Sequence, residues 1–220
     1  VVTDAPNSSR LAVISIDTLA SGSLAADLMG RFLRGTGKLA ITLSDLAITE
    51  HAEKCAAFEK TVRSLYPKMR ILKPVEDHDV EFEAYDKSLK LFAAHPDLAG
   101  IYVTTEASIP VINAARDVNM LDKLTIITTD LFPAIVQEIR SSTVAATIYQ
   151  RPRTQGRMAF RVLREFLTEG QCPSYQVTLA PHVVMRGNLE FFLSRLPGES
   201  AADKPFELRT AAADLGESFG

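Results

Sequence analysis

The sequence lacks several things that would point to a definite chemistry. Tryptophan is absent, and 220 residues contain two cysteines and four histidines. Cys55 lies on an expected helix face and Cys172 in a loop before Pro173. That separation is not metal-ligand spacing and assigns no disulfide. His51, His78, His95 and His182 are scattered. His51 and Glu53, near Lys54, match no metal-ligand motif. The acidic stretch Glu76, Asp77, His78, Asp79 reads as a solvated loop whose acids favour the start of the next helix. No Gly-rich phosphate loop, nucleophile elbow or H-E-x-x-H occurs. No cofactor or metal is expected, and without an oriented base no enzyme is expected either.

Charge of one sign is also lacking. The formal net charge of −3 gives no support for nucleic-acid binding by this segment. No apolar run approaches transmembrane length, so no membrane partner is expected. The start carries no signal-peptide pattern and no Met; Val1 opens inside an apolar, strand-like run. The expectation is a cut N-terminus, with the chain a fragment or processed piece. Its length allows one large domain or two modest ones.

What is present is alternation of strand and helix signals. Leu11 to Ile16 reads as a strand, followed by an amphipathic helix from Ser21 to about Arg34, which Gly35 and Gly37 end. Lys38 to Leu43 is the next strand, and a helix runs from about Glu50 to Leu65 before Pro67. Arg70 to Val75, a helix from about Glu81 to Ala94, Gly100 to Thr104 and a helix from Glu106 to Asp117 continue the series. Short βα connections of this kind imply a mostly parallel sheet covered on both faces, with right-handed crossovers. A long helix from about Arg153 to Thr168 ends near Gly170, and Val177 to Met185 is an edge or bulged strand interrupted by Pro181. The polar tail from Pro197 to Gly220 is expected to be flexible.

The segment Lys123 to Gln150 is the most informative. The run Leu124, Ile126, Ile127 stops at Thr128, Thr129 and Asp130, and a helix follows from Pro133 to Arg140. A second run, Val144 to Tyr149, stops at Gln150, with Arg151 and Pro152 opening another helix. Two successive strands end in a polar residue where the next helix begins, the edge at which open α/β sheets bind small ligands.

These residues resemble the ligand-binding module of the LacI/GalR sugar-responsive repressors, which shares its fold with periplasmic sugar-binding proteins. Ser15-Ile16-Asp17-Thr18, with Gly22 and Ala26, looks like the first crossover and the helix after it. Gly37-Lys38-Leu39-Ala40 resembles the family's G-H-x-x-I-A. Lys54-Cys55-Ala56-Ala57-Phe58 sits where the family has R-x-x-G-F, and Thr104-Thr105-Glu106 where it has A-N-D. Thr128-Thr129-Asp130 matches G-F-D, and Gln150 the glutamine of the second crossover. The resemblance, spread over about Val1 to Glu190, implies an α/β periplasmic-binding-protein-like fold of type I: parallel, doubly wound sheets in two lobes. Residues 1–17 and 150–176 would be the remnant of an N-terminal lobe, and 18–149 with 177–190 a complete C-terminal lobe. Lys54 in place of arginine loses bidentate recognition and leaves a point charge, which suits an acidic or phosphorylated sugar.

The expected ligand residues are Asp130, Gln150, Lys54, Thr105 and Asp17, each with a structural reading beside it. Asp130 serves as a ligand acceptor or as the cap of the helix that starts at Leu131 or Phe132. Gln150 lies at a proposed crossover or is an ordinary strand end. Lys54 touches ligand or is a solvated helix lysine. Asp17 is a ligand or hinge residue, a turn residue, or the cap of the helix at Ser21. Thr105, with Glu106, caps the helix from Ala107 or reaches ligand. The implied function is effector sensing by a LacI-type regulator, cytoplasmic and homodimeric, reaching operator DNA through a headpiece outside this sequence. The alternatives are a periplasmic sugar-binding protein of an ABC transporter and an α/β enzyme without a recognisable site. A stripe of Phe82, Tyr85, Leu89 and Phe92 is either sheet cover or part of the dimer interface.

Overall fold

Aliphatic and β-branched runs bounded by polar turns become strands here, and the amphipathic segments between them become helices. The computed structural model describes residues 9–170 and 176–194. The expectations for the first residues, for Cys172 and for the tail from Pro197 lie outside the described residues. In chain order the elements are β1 (Val13–Ile16), α1 (Thr18–Phe32), β2 (Gly37–Leu43), α2 (Thr49–Leu65), β3 (Met69–Ile71) and β4 (Val75–Glu76). There follow α3 (Glu81–Ala94), β5 (Leu98–Val103), α4 (Ser108–Asp117), β6 (Thr125–Thr129), α5 (Pro133–Arg140) and β7 (Val144–Tyr149). The last are α6 (Pro152–Glu169), β8 (Gln176–Leu179), β9 (His182–Val184) and α7 (Leu189–Leu193).

The large sheet has the spatial order β3-β2-β5-β6-β7-β9, with β4 beside the carboxyl half of β2. All neighbours are parallel except β9, which runs antiparallel to β7 at the edge. Alternate residues of each strand serve opposite layers. Leu39, Ile41 and Leu43 pack with Ala26, Met29, Phe58 and Val62 of α1 and α2. Ala40, Ile101, Val103 and Ile126 pack on the other side with Phe92, Val111, Ile112 and Ile139 of α3, α4 and α5. The sheet is thus doubly wound, as the alternation implies. A Cβ at Gly22 would stand 2.2 Å from the Lys54 carbonyl oxygen, so glycine alone permits this approach of α1 to α2.

The second sheet contains β1 and β8, paired in parallel. The chain passes between the two sheets at Asp17, at Gln150–Pro152 and at Ala180–Pro181. The fold is therefore the expected periplasmic-binding-protein-like α/β arrangement: one large sheet with its helices and a smaller part of a second.

Four local expectations are corrected. The helix expected from Ser21 begins at Thr18, because the Asp17 carboxylate caps it by accepting from Ala20 N at 2.8 Å. The strand expected over Arg70–Val75 is broken into β3 and β4. Leu72 N still donates to Leu39 O at 2.8 Å, but Pro74 has no N–H with which to continue the ladder. The strand expected over Val177–Met185 is divided between sheets: β8 joins β1, and β9 joins β7. Residues 177–179, expected in the C-terminal lobe, accordingly sit in the small sheet, with Pro181 at the turn that redirects the chain. Helix α7 carries no expected signal; its Leu189 is buried in the core beside α5.

The stripe on α3 mostly covers the sheet. Phe92 is buried, and Tyr85 and Leu89 pack against the same cluster, whereas Phe82 is 75% exposed. Helix α6 differs: Phe160 and Leu167 are each 71% exposed. Among the described residues no helix is long and apolar enough to cross a membrane.

Candidate functional site

Parallel pairing brings the carboxyl ends of β2, β5, β6 and β7 to one edge, at Leu43, Val103, Thr129 and Tyr149. The residues just beyond them converge. Thr129 pairs in register with Ile148, which sets Asp130 beside Gln150 across the two strand ends. Asp130 N donates to Ile148 O at 2.9 Å. Gln150 N donates to Asp130 Oδ1 at 2.8 Å, and Gln150 Nε2 donates to Asp130 Oδ2 at 2.7 Å. Asp130 has φ +64° and Arg151 φ +60°, both in the left-handed region. Aspartate tolerates that region better than most side chains.

Helix α2 supplies the other half of the cluster. Its 3.6-residue period puts Glu50 and Lys54 one turn apart on the face that meets the strand ends. Lys54 is 1% exposed. Its Nζ donates to Glu50 Oε1 at 2.5 Å and to Gln150 Oε1 at 2.7 Å. Gln150 O accepts in turn from Gln155 Nε2 of α6 at 2.7 Å. One buried chain of hydrogen bonds therefore runs Glu50–Lys54–Gln150–Asp130, tying α2 to β6, β7 and α6. Buried polar groups joined in this way hold their orientations.

The cluster faces a cavity of about 720 Å³ whose lining includes Lys54, Thr104, Thr105, Phe132, Asp130 and Gln150. That volume falls in the range of small-molecule sites, roughly 300–1,000 Å³. Thr105 Oγ1 accepts from Ala107 N at 3.2 Å and so shapes the turn before α4. His51 Nδ1 accepts from Ser44 N at 3.2 Å, which places the ring proton on Nε2. Burial, and then the Lys54 ammonium, hold the His51 imidazole below its usual pKa, so the ring is neutral. Burial pushes the Asp130 carboxyl above its usual range, against the hydrogen bonds from Gln150 and the charge of Lys54. In the loop before α3 Asp77 is buried with Oδ1 accepting from Asp79 N at 3.1 Å, and burial raises its carboxyl to about 6.

Of the five expected residues, Asp130, Gln150, Lys54 and Thr105 line this one cavity. Asp17 does not. It lines a smaller cavity of about 290 Å³ with Ser15, Thr18, Glu53 and Thr178, and its carboxylate is engaged in capping. Two structural readings fail. Asp130 caps no helix: the N-cap of α5 is Phe132, without a side-chain cap bond. Lys54 is not solvated. Its ammonium is balanced by Glu50 at close range, so the point charge that suggested an acidic or phosphorylated sugar is already matched within the protein. Glu50 itself, which lines both cavities, was not among the expected residues; its i, i+4 spacing to Lys54 was the available signal. Among the described residues no group of three His, Cys, Asp or Glu could hold a metal ion.

Solved structures share this fold. A glucose-galactose binding protein from Geobacillus stearothermophilus, GanP, superposes with a TM-score of 0.79 at 26% identity over 85% of this chain and 66% of that one. An arabinose binding protein from the same organism, AraP, gives 0.75 at 21% identity over 84% and 66%. An ABC transporter periplasmic solute binding protein from Actinobacillus succinogenes 130z, with bound D-allose, gives 0.77 at 17% over 82% and 63%. The chain thus spans slightly less than two thirds of the length of these proteins. No curated protein matches it by sequence. The profile of the family described as Periplasmic binding protein domain matches residues 1–171, and the chain belongs to that family.

Proposed function

We propose that this chain binds a sugar or sugar derivative in the cavity at Asp130 and Gln150 and releases it chemically unchanged. The observation that carries the reading is the buried Glu50–Lys54–Gln150–Asp130 chain. It presents donors and acceptors in fixed orientation at parallel strand ends, as recognition of several hydroxyls requires. No nucleophile with an oriented base accompanies it among the described residues lining the cavity. Two of the similar structures are named as a glucose-galactose and an arabinose binding protein, and the third is a solute binding protein with bound D-allose, which supports a monosaccharide-sized ligand here.

Those names favour a solute-binding role in sugar uptake. The LacI-type regulator is the second reading, favoured by the order of the Ser15–Thr18, Gly37–Ala40, Thr128–Asp130 and Gln150 motifs along the chain. It would bring a homodimer, operator DNA and a cytoplasmic location.

A thermal-shift screen of monosaccharides tests the binding proposal. A ligand at a hundred times its dissociation constant adds about 2.7 kcal/mol to stability. Asp130→Ala and Gln150→Ala should each weaken the hit by about 1–3 kcal/mol, since each leaves a ligand hydroxyl unpaired. A folded chain that no sugar stabilises would remove the reading. Sedimentation of the full-length protein at micromolar concentration separates the two roles: a dimer favours the regulator, a monomer the solute-binding protein.

A further inference from the structure

Five carboxylates line the cavity, several of them without an ion pair among the described residues. Glu50, Asp79, Glu81, Glu106 and Asp130 all line it, and Lys54 is the one formally cationic side chain among the lining residues. Lys54 spends two of its three donors on Glu50 and Gln150. The field inside the cavity is therefore negative. Carboxylates on the outer helix surfaces mostly have a basic neighbour: Asp27 has Arg31, Glu59 has Arg63, Glu83 has Lys87 and Asp86 has Lys90. Asp79, Glu81 and Glu106 have no ion pair among the described residues. A second observation comes from the lining of the same cavity. Thr104 is 2% exposed, and its Oγ1 has no hydrogen-bond partner among the described residues. It lies two positions before Glu106 in the turn that follows β5.

We infer that the cavity selects an aminated, cationic sugar or polyol over its neutral parent and rejects sugar acids and sugar phosphates. An ammonium offers three N–H donors and needs acceptors with negative charge nearby. The Thr104–Glu106 turn carries an unpaired hydroxyl oxygen and a carboxylate without a counter-ion, and Asp79 and Glu81 add charge of the same sign from the loop before α3. An anionic ligand would bring like charge against all of them, and its one available cation is already balanced. The inference rests on the sugar-binding reading and assigns the charge of the ligand.

Titration calorimetry of the full-length protein with two matched series tests it: glucose, glucosamine, glucuronate and glucose 6-phosphate, and the corresponding galactose compounds. The pH is set where the amines are protonated. In the series that binds, the amino sugar should be about tenfold tighter than the neutral sugar, the scale of one screened charge pair at short range. The uronate and the phosphate should be weaker than the neutral sugar. The amine preference should shrink as salt is raised, because the Asp79, Glu81 and Glu106 charges are screened. Glu106→Gln and Glu81→Gln should move the amine-to-neutral ratio toward one, and Asp86→Asn, on the far side of α3's ion pairing, should leave it in place. An anionic member as tight as the neutral sugar, or a ratio at or below one in the native protein, overturns the inference while leaving sugar binding intact. Binding by no member of either series would instead sink the sugar reading, and this inference with it.

Discussion

Helices α3 and α6 are both amphipathic, yet they end up in opposite states. Helix α3 lies on a sheet of seven strands and buries Ala84, Ser88, Leu91 and Phe92. Among the described residues helix α6 lies beside a sheet of two strands, and Gln155 is its one fully buried residue. Its apolar side chains Phe160, Leu163, Phe166 and Leu167 face outward among the described residues. A periodic apolar stripe therefore reports that a helix has a face to cover. It does not report how much cover the adjoining sheet provides. The cover depends on strand pairing, which is non-local.

The largest test of this contrast is a pair of truncations. Phe58→Ala, on the side of the large sheet covered by α1 and α2, should cost about 3–5 kcal/mol in a denaturant melt, because Phe58 is fully buried against Tyr102 and leaves a cavity. Phe160→Ala on α6 should cost less than about 0.5 kcal/mol. Equal losses would mean that α6 is covered in solution by something that packs as well as the large sheet does.

Next in size is Lys54→Met. Methionine keeps most of the apolar stem but leaves the Glu50 carboxylate buried without its ammonium, at a cost of about 3 kcal/mol. Adding Glu50→Gln should restore most of the loss. If the single substitution is silent, the polar seam between α2 and the strand ends is wetter than its geometry indicates.

Asp77 gives a smaller, pH-dependent effect on the large-sheet side. Its carboxyl is raised to about 6 by burial, above the unfolded value of about 3.9. The folded state holds this proton more tightly than the unfolded chain does. Stability from this group is thus greatest below the unfolded value and is lost as pH rises toward about 6. Asp77→Asn should remove a fall of about 2 kcal/mol between those limits, read as the difference between the two proteins' melts across pH. Asp130 shifts in the same direction and for the same leading cause, so a double variant should flatten the profile further.

A smaller effect than that of Asp77 sits between the two sheets. Asp17→Ala removes the cap of α1 and should cost about 1 kcal/mol without altering ligand affinity. A large loss of affinity would place Asp17 in the binding site, where the smaller cavity currently keeps it apart.

The pattern of these effects follows what the residues could and could not reveal. Strand ends at Asp130 and Gln150 were legible because an apolar run gives way to a polar residue just before a proline-started helix. Lys54 was legible as a candidate through the family pattern, but its burial was not, since burial depends on Gln150, ninety-six positions away. The division of residues 177–185 between two sheets was also hidden. Pro181 announced an interruption, but only pairing with β1 on one side and β7 on the other shows that the chain changes sheets there. Asp17 appeared ambiguous because a single carboxylate next to a helix start suits a cap and a ligand equally well.

Asp130 also bears on how this protein would respond to engineering. Its left-handed backbone carries a strain that glycine would relieve. Taken alone, that backbone relief is worth a few tenths to about 1 kcal/mol. The same change would delete both acceptors that hold the Gln150 amide. Two buried donors left unpaired cost about 1–3 kcal/mol each, more than the backbone gains, so the bonds that orient the binding groups are also what keeps a strained aspartate in place.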